Sequence, residues 1–324
     1  MTALTVAGAR RAARRNSWPL AVTVIFAVLL AWHGALTPAF SFELQTMFAS
    51  TLALAFLAVA SSIVLVGGGI DLSVGSTMVL VNVVSARFMD GHGLGSALLI
   101  AVASVALAVL IGLLTGVVVA VSRIPDVIVT LATSFVWGGL ALVVMPVPGG
   151  GAPAEFLALS GADSATFWPA LVSLAVPLLL IGVPLIRSRL GLTIRAAGSH
   201  RDAAGLSGVK IARTRVLTYL VAGLFVGLAG LATTAWTGGG NPQQAAGLAA
   251  TLTALAAAVL GGVVIGGGVG GALGPIVAVW ILYLIPKIML GLGMDPAYGE
   301  AVKGVVIVLV VMLGGLIRVR WSRS

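Results

Sequence analysis

The sequence predicts an all-α protein, a polytopic transmembrane helical bundle of about ten spans. Three observations carry that expectation. Hydrophobic residues make up 60% of the 324 residues and charged residues 8%, against roughly 45–50% and 25% in soluble proteins. So few charges could not cover a surface that faces water. The apolar residues come in long continuous runs, not in the period-two alternation of a transmembrane barrel. Most of the 18 Lys and Arg, fourteen of them, gather at the two ends and in one loop, as they do on the flanks of membrane helices.

Arg10, Arg11, Arg14 and Arg15 precede the first apolar run, 18–36. A secretory or twin-arginine signal begins similarly. This run is long enough to span and many others follow, so it reads as an uncleaved first helix behind a basic cytoplasmic segment, 1–17. Runs at 48–66, 72–87, 95–121, 126–145 and 167–186 predict the next five spans. The stretch 187–215 then holds Arg187, Arg189, Arg195, Arg201, Lys210, Arg213 and Arg215. Runs at 215–235, 246–265, 271–286 and 301–317 complete the set, and the tail 318–324 adds Arg318, Arg320 and Arg323. The positive-inside rule puts all three basic regions in the cytoplasm. Parity agrees, since six spans return the chain inside at 187–215 and four more return the tail. The predicted outer segments, 37–47, 146–166, 237–245 and 287–300, hold Glu43, Glu155, Asp163, Asp295 and Glu300 and one base, Lys287. Arg87, beside Asp90, falls near the outer surface against the rule. Residues 1–324 therefore read as a single transmembrane domain with both termini cytoplasmic.

Several function classes fall away. The chain has no cysteine, which excludes a disulfide framework, an iron–sulfur cluster and a thiol nucleophile. Its three histidines, His33, His92 and His200, are far apart, so a histidine metal site is not expected. No nucleophile–base pair stands out, and an enzyme is not expected. The net charge of +9 is explained by helix flanks, without nucleic acid. Gly112 and Gly116, like Gly223 and Gly227, are spaced four apart, which lets membrane helices approach closely.

Chemistry concentrates in three segments. Gly67-Gly68-Gly69-Ile70-Asp71-Leu72-Ser73-Val74-Gly75-Ser76 interrupts an apolar run and carries an acid at membrane depth. A carboxylate there needs a partner, a water-filled cavity or helix N-terminal N–H groups. Asp71 has two readings: a group on a translocation path through a broken helix, or, with Ser73, the cap of the restarting helix. A second break, Gly266-Gly267-Gly268-Val269-Gly270-Gly271-Ala272-Leu273-Gly274-Pro275, matches the first at an offset of 199 residues, Gly67–Gly69 on Gly266–Gly268 and Gly75 on Gly274. Paired interrupted segments are a mark of transporters. The third segment, 191–210, predicts a short helix over Asp202–Leu206 ended by Gly208, a compact element suited to docking a cytoplasmic partner.

These segments, with Ile124-Pro125-Asp126-Val127-Ile128-Val129-Thr130-Leu131-Ala132-Thr133 and the 259–274 stretch, occur in an order that resembles a known family. It is the membrane permease subunit of ribose-type (monosaccharide) ABC importers, in the broad group of branched-chain amino-acid permeases. The resemblance runs from about residue 20 to 317, and Gly-Ile-Asp-Leu-Ser-Val-Gly is specific to the sugar branch. The chain departs from the family's usual residues at His200, Ala132, Val263 and Val264.

The resemblance implies a transport subunit of the bacterial cytoplasmic (inner) membrane. A second permease chain, identical or paralogous, would complete the pore, and an extracytoplasmic binding protein would deliver the sugar. The chain has no Walker phosphate loop. It is expected to bind no cofactor itself, with ATP used by separate ATPase subunits that grip Arg201, Asp202, Ala203, Ala204, Gly205 and Gly208. A neutral sugar needs a hydrogen-bonding path, for which the candidates are Asp71, Ser73, Asn82, Thr130, Thr133 and Ser134. The alternative is an ion-coupled secondary transporter. That class wants several membrane-embedded ionisable groups, and Asp71 is the main candidate here, with Asp126 nearer a loop.

Overall fold

Each apolar run folds as a helix because a bilayer leaves backbone N–H and C=O groups no other partner. The computed structural model describes residues 2–122, 124–161, 166–242, 247–295, 297–299, 301–306, 308, 309 and 312, with side chains from Trp18 on except Pro19. Its helices are α1 (Thr2–Leu36), α2 (Phe40–Val66), α3 (Val74–Met89), α4 (Leu94–Val121) and α5 (Asp126–Val144). The short α6 (Ala154–Leu157) leads into α7 (Trp168–Pro177), a π-helical turn at Leu178–Gly182 and α8 (Val183–Arg187). Then come α9 (Arg189–Ser199), α10 (Arg201–Leu206), α11 (Ile211–Thr237), α12 (Gly247–Leu260) and α13 (Leu273–Gly291). The π turn follows Pro177, whose missing N–H leaves one carbonyl to be re-satisfied at a wider spacing.

Among the described residues, six helical segments are long and apolar enough to span: α2, α4, α5, Trp168–Arg187, α11 and α13. Leu20–Leu36, α3 and α12 are shorter apolar helices. Together these segments fall on nine of the ten expected runs. The tenth, 301–317, is described only in part, at 301–306, 308, 309 and 312, all helical. Asp163, Glu300, Arg318, Arg320 and Arg323, and the side chains of Arg10, Arg11, Arg14 and Arg15, lie outside the described residues. Several boundaries differ from expectation, with α1 beginning at Thr2, α11 at Ile211 and α13 running on to Gly291, and two of the differences have a visible cause. Helix α2 begins at Phe40 rather than 48, because Glu43 and Gln45 find partners, Lys287 at 3.1 Å and the Gly161 carbonyl at 3.0 Å. Helix α12 stops at Leu260 rather than 265, because Gly262 turns to φ +91.

Helices α2 and α11 form the interior, with 78% and 61% of their most apolar windows buried, against 22% for Trp168–Arg187. Helix α11 lies against α4 through small residues. A Cβ built on Gly112 would stand 2.4 Å from the Tyr219 carbonyl oxygen, and one on Gly223 2.5 Å from that of Ala108. Bare backbones thus meet, the source of helix association where lipid supplies no hydrophobic drive. Leu98, Leu99, Val102, Phe135, Val143, Leu179 and Leu180 are exposed on the surface a bilayer would cover.

The bundle has two chemically distinct ends. At one, α2 ends, α3 begins and the basic 187–215 segment folds. There the Trp18 indole N–H donates to the Leu260 carbonyl at 3.0 Å, placing the start of the first apolar run at the same end. At the other end, loop backbones pair between Gly149 and Gly240. Asn82 and the Glu43–Lys287 pair lie there, as does the exposed Arg87.

Candidate functional site

Helix α2 ends in a glycine turn. The Gly67, Gly68 and Gly69 N–H groups donate to the Ile63, Leu65 and Val64 carbonyls at 2.9–3.1 Å, and Gly68 takes φ +77. This left-handed turn suits a residue without a Cβ. The chain then runs without regular structure, bending at Leu72, to Ser73 before α3 starts. Asp71 is buried, and its Oδ1 accepts from the Ser73 N–H at 2.8 Å and the Ser73 hydroxyl at 2.6 Å. The carboxylate therefore closes a local turn onto Ser73, the residue before α3, whose own side chain does not cap the helix.

Helices α5 and α11 hold this segment from the side. Thr130 is fully buried; its Oγ1 accepts from the Leu72 N–H at 3.0 Å and donates to the Asp126 carbonyl at 2.9 Å. The Tyr219 hydroxyl lies 3.4 Å from the Ile70 carbonyl oxygen and 3.3 Å from Asp126 Oδ2. Arg215 pairs with the other oxygen of Asp126. A Cβ on Gly69 would sit 2.9 Å from Asp126 Oδ2 and 3.1 Å from the Tyr219 hydroxyl, so a larger residue here would have to displace these side chains.

The second break, 261–272, folds against the first. The Gly268 N–H donates to the carbonyl of Val66, the last residue of α2, at 2.8 Å. The Ser62 hydroxyl donates to the Gly271 carbonyl at 2.8 Å. Gly266, Gly267 and Gly268 all have positive φ. Helix α13 begins at Leu273 and α3 at Val74, so the 199-residue offset read from glycine spacing also relates the two helix starts. Gly75 and Gly274 lie in the first turns of these helices rather than in the breaks. They keep close approach possible: a Cβ on either would stand 2.0 Å from a carbonyl oxygen, that of Gly247 or of Gly261.

Between the two breaks sits α9. A Cβ on Gly198 would fall 2.0 Å from the Val66 carbonyl oxygen and 2.8 Å from the Gly268 nitrogen, and one on Gly267 2.5 Å from the Gly198 oxygen. Arg201 Nη2 donates to the Gly68 carbonyl at 3.0 Å. Ser188 caps α9 by accepting from the Gly191 N–H at 3.1 Å. His200 takes the same position for α10, accepting from the Ala203 N–H at 3.4 Å. Asn, the usual family residue there, is also a strong N-cap. Helix α10 begins one residue earlier than expected, at Arg201, and ends at Leu206, with Gly208 turning the chain away at φ +86. Ala204 is buried, while Arg201, Asp202, Ala203, Gly205 and Gly208 are exposed.

Five of the six polar candidates come together at the break end. Asp71, Ser73 and Thr130 fix the first break, and Thr133 and Ser134 follow along α5, donating to the Thr130 and Leu131 carbonyls at 3.1 and 2.7 Å. Asn82 lies at the opposite end. Its Nδ2 donates to Thr234 Oγ1 and the Gly239 carbonyl at 2.9 and 3.0 Å, and its Oδ1 accepts from the Asn241 N–H at 3.1 Å. Sequence reasoning did not single out Tyr219, Gly198 or Leu206. Leu206 is 91% exposed on α10, and a large apolar residue in so polar a loop was its available signal.

Long apolar helices, two broken helices meeting at one end and an exposed basic element seated on both breaks define a multi-pass membrane protein of the permease kind. The chain belongs to the family of branched-chain amino acid transport system permease components, matching it over residues 44–311. The ribose import permease of Escherichia coli K12 is 31% identical, over 97% of this chain and 98% of its own length. The autoinducer 2 import system permease of Enterobacter sp. strain 638 is 30% identical, over 94% and 87%. The fructose import permease of Rhizobium meliloti is 28% identical over the same shares. No solved structure matches this chain.

Proposed function

We propose that the chain is the membrane subunit of an ATP-binding cassette importer for a monosaccharide or similar small polar solute, seated in the bacterial cytoplasmic (inner) membrane with both termini inside. One observation carries the reading: the α9–α10 element, exposed along α10, rests on both glycine breaks through backbone contacts at Gly198 and a side-chain bond from Arg201. Relatives whose names describe import of ribose, fructose and autoinducer 2 support it.

Separate ATPase subunits grip α10 from the cytoplasm, with Leu206 as the apolar anchor among Arg201, Asp202, Gly205 and Gly208. A displacement of α10 reaches the Gly68 carbonyl through Arg201. It reaches Val66 and Gly268 through Gly198. Contacts between bare backbones have no rotamers to absorb the motion, so the ends of α2, α3, α12 and α13 move together. Two permease chains, identical or paralogous, enclose the path, and an extracytoplasmic binding protein loads it. Asp71, Ser73 and Thr130 shape the inner end of that path by fixing the first break.

Reconstituted vesicles test the reading. Labelled sugar should accumulate only when the ATPase subunit, internal ATP and external binding protein are all present. Uptake by the chain alone, driven by an ion gradient, would show a secondary transporter instead.

A further inference from the structure

A narrow cleft of about 50 Å³ opens at the break end of the bundle. Val59, Ile63 and Val66 wall it along α2, Phe225 on α11, and Leu185 and Ile186 on α8. Helix α9 and residues 270–272 of the second break complete the lining. The volume admits a few methylene groups and is far short of a solute pocket. Its wall on α2 runs seven residues, about 10 Å, inward from the helix end. The facing wall belongs to Trp168–Arg187, the least buried span, and Ile186 is exposed there. The cleft thus borders surface that a bilayer would cover.

Two polar side chains line it. The Ser62 hydroxyl is committed to the Gly271 carbonyl at 2.8 Å. Arg195, on α9, is half-buried and has no ion pair among the described residues. Acids are scarce at this end: Asp71 is turned onto Ser73, Asp126 is held by Arg215, and Asp202 is exposed on α10. Asp163 and Glu300, outside the described residues, follow Gly161 and Gly299 in sequence. Those glycines lie at the opposite end, against Gln45 and Pro286.

A cation at the helix ends with hydrocarbon further in is the polarity of a phospholipid read from headgroup to chain. A guanidinium matches a phosphate through two parallel N–H donors, and basic pockets between membrane helices on the cytoplasmic side take anionic headgroups. A second copy of this chain is a poorer match, because Asp202 is the exposed acid it brings to this end among the described residues.

We propose that the cleft binds one anionic phospholipid, with its phosphate at Arg195 and the first methylenes of one acyl chain between α2 and α8. The chain then packs against α9 and the second break, the elements that meet at Gly198. The proposal requires only a bilayer and is independent of the importer reading.

Photo-crosslinking of the full-length chain in nanodiscs provides the test. Phosphatidylglycerol and phosphatidylcholine carry the same diazirine-labelled acyl chain, and adducts are mapped by peptide mass spectrometry. The exposed face of α4 around Leu99 is the reference for lipid that merely surrounds the bundle. Relative to it, phosphatidylglycerol should label the α2 and α8 walls at least about fivefold more than phosphatidylcholine, the scale of one basic residue beside anionic lipid. Arg195→Gln should abolish that preference and Arg195→Lys should keep most of it. Gly271→Leu should lower labelling by both lipids, since its Cβ enters open space in the cleft wall. Equal labelling by the two lipids, a preference that survives Arg195→Gln, or labelling unchanged by Gly271→Leu overturns the proposal. So does a cleft that neither lipid labels, the result expected if a second copy covers it. Should Gly271→Leu prove unstable, the two Arg195 variants decide.

Discussion

Replacing Gly198 with alanine puts a methyl group where α9 meets both breaks. The added Cβ would stand 2.0 Å from the Val66 carbonyl oxygen and 2.8 Å from the Gly268 nitrogen. Both are backbone atoms and cannot rotate away, so α9 must lift and the 2.8 Å bond between Gly268 and Val66 is strained or lost. Overpacking costs about 1–3 kcal/mol, and a buried backbone group left unpaired costs about 1–3 kcal/mol. A combined penalty of about 3 kcal/mol shifts the balance between seated and lifted α9 by about a hundredfold. Gly139→Ala on α5 is the control, since its Cβ would meet nothing within 4 Å. Each variant is to be reconstituted with its ATPase subunits and binding protein, and uptake read beside ATP hydrolysis. Gly198→Ala should lose at least about tenfold in solute moved per ATP, while Gly139→Ala stays at the parent level. Parent-level coupling in Gly198→Ala would refute transmission through the α9 contact.

Two further perturbations probe the scaffold, both read as melting of the purified chain. Gly112→Leu forces α4 from α11, because even its Cβ would lie 2.4 Å from the Tyr219 carbonyl oxygen. The melting temperature should fall by about 5 °C, and an unchanged value would remove the bare-backbone contact from the packing. Arg215→Met strands the Asp126 carboxylate, whose side chain is 14% exposed. Removing one partner of a buried pair costs about 3–5 kcal/mol, so melting should fall more than for Gly112→Leu. Adding Asp126→Asn should recover most of the loss, and failure to recover would mean that the pair itself is not what stabilises α5 against α11.

The helices were legible because membrane burial demands long apolar runs, and α4, α5 and α13 begin within two residues of where hydropathy places them. The breaks at Gly67 and Gly266 were legible because three consecutive glycines give up helix stability that the surrounding apolar residues would otherwise supply. Asn82 announced that it needed partners, but not that Thr234 and Gly239 would supply them across 152 and 157 residues. Gly198 was hidden for the same reason. A lone glycine in a polar loop looks ordinary until the chain brings Val66 against it. The lysines gave a partial signal: Lys287 read as an outer-surface base, whereas α13 turns it onto Glu43 and a cavity beside Tyr283.

Because the chain contains no cysteine, one introduced thiol reports docking without background. Leu206→Cys puts it on α10 at a site 91% exposed, and Leu99→Cys puts it on the apolar face of α4 at a site 74% exposed. Each variant is to be treated with a thiol-anchored photo-crosslinker in membranes that contain the ATPase subunit. A covalent adduct with that subunit from Leu206→Cys and none from Leu99→Cys is the expected result. No adduct from Leu206→Cys, or equal adducts from both, contradicts docking of the ATPase on α10.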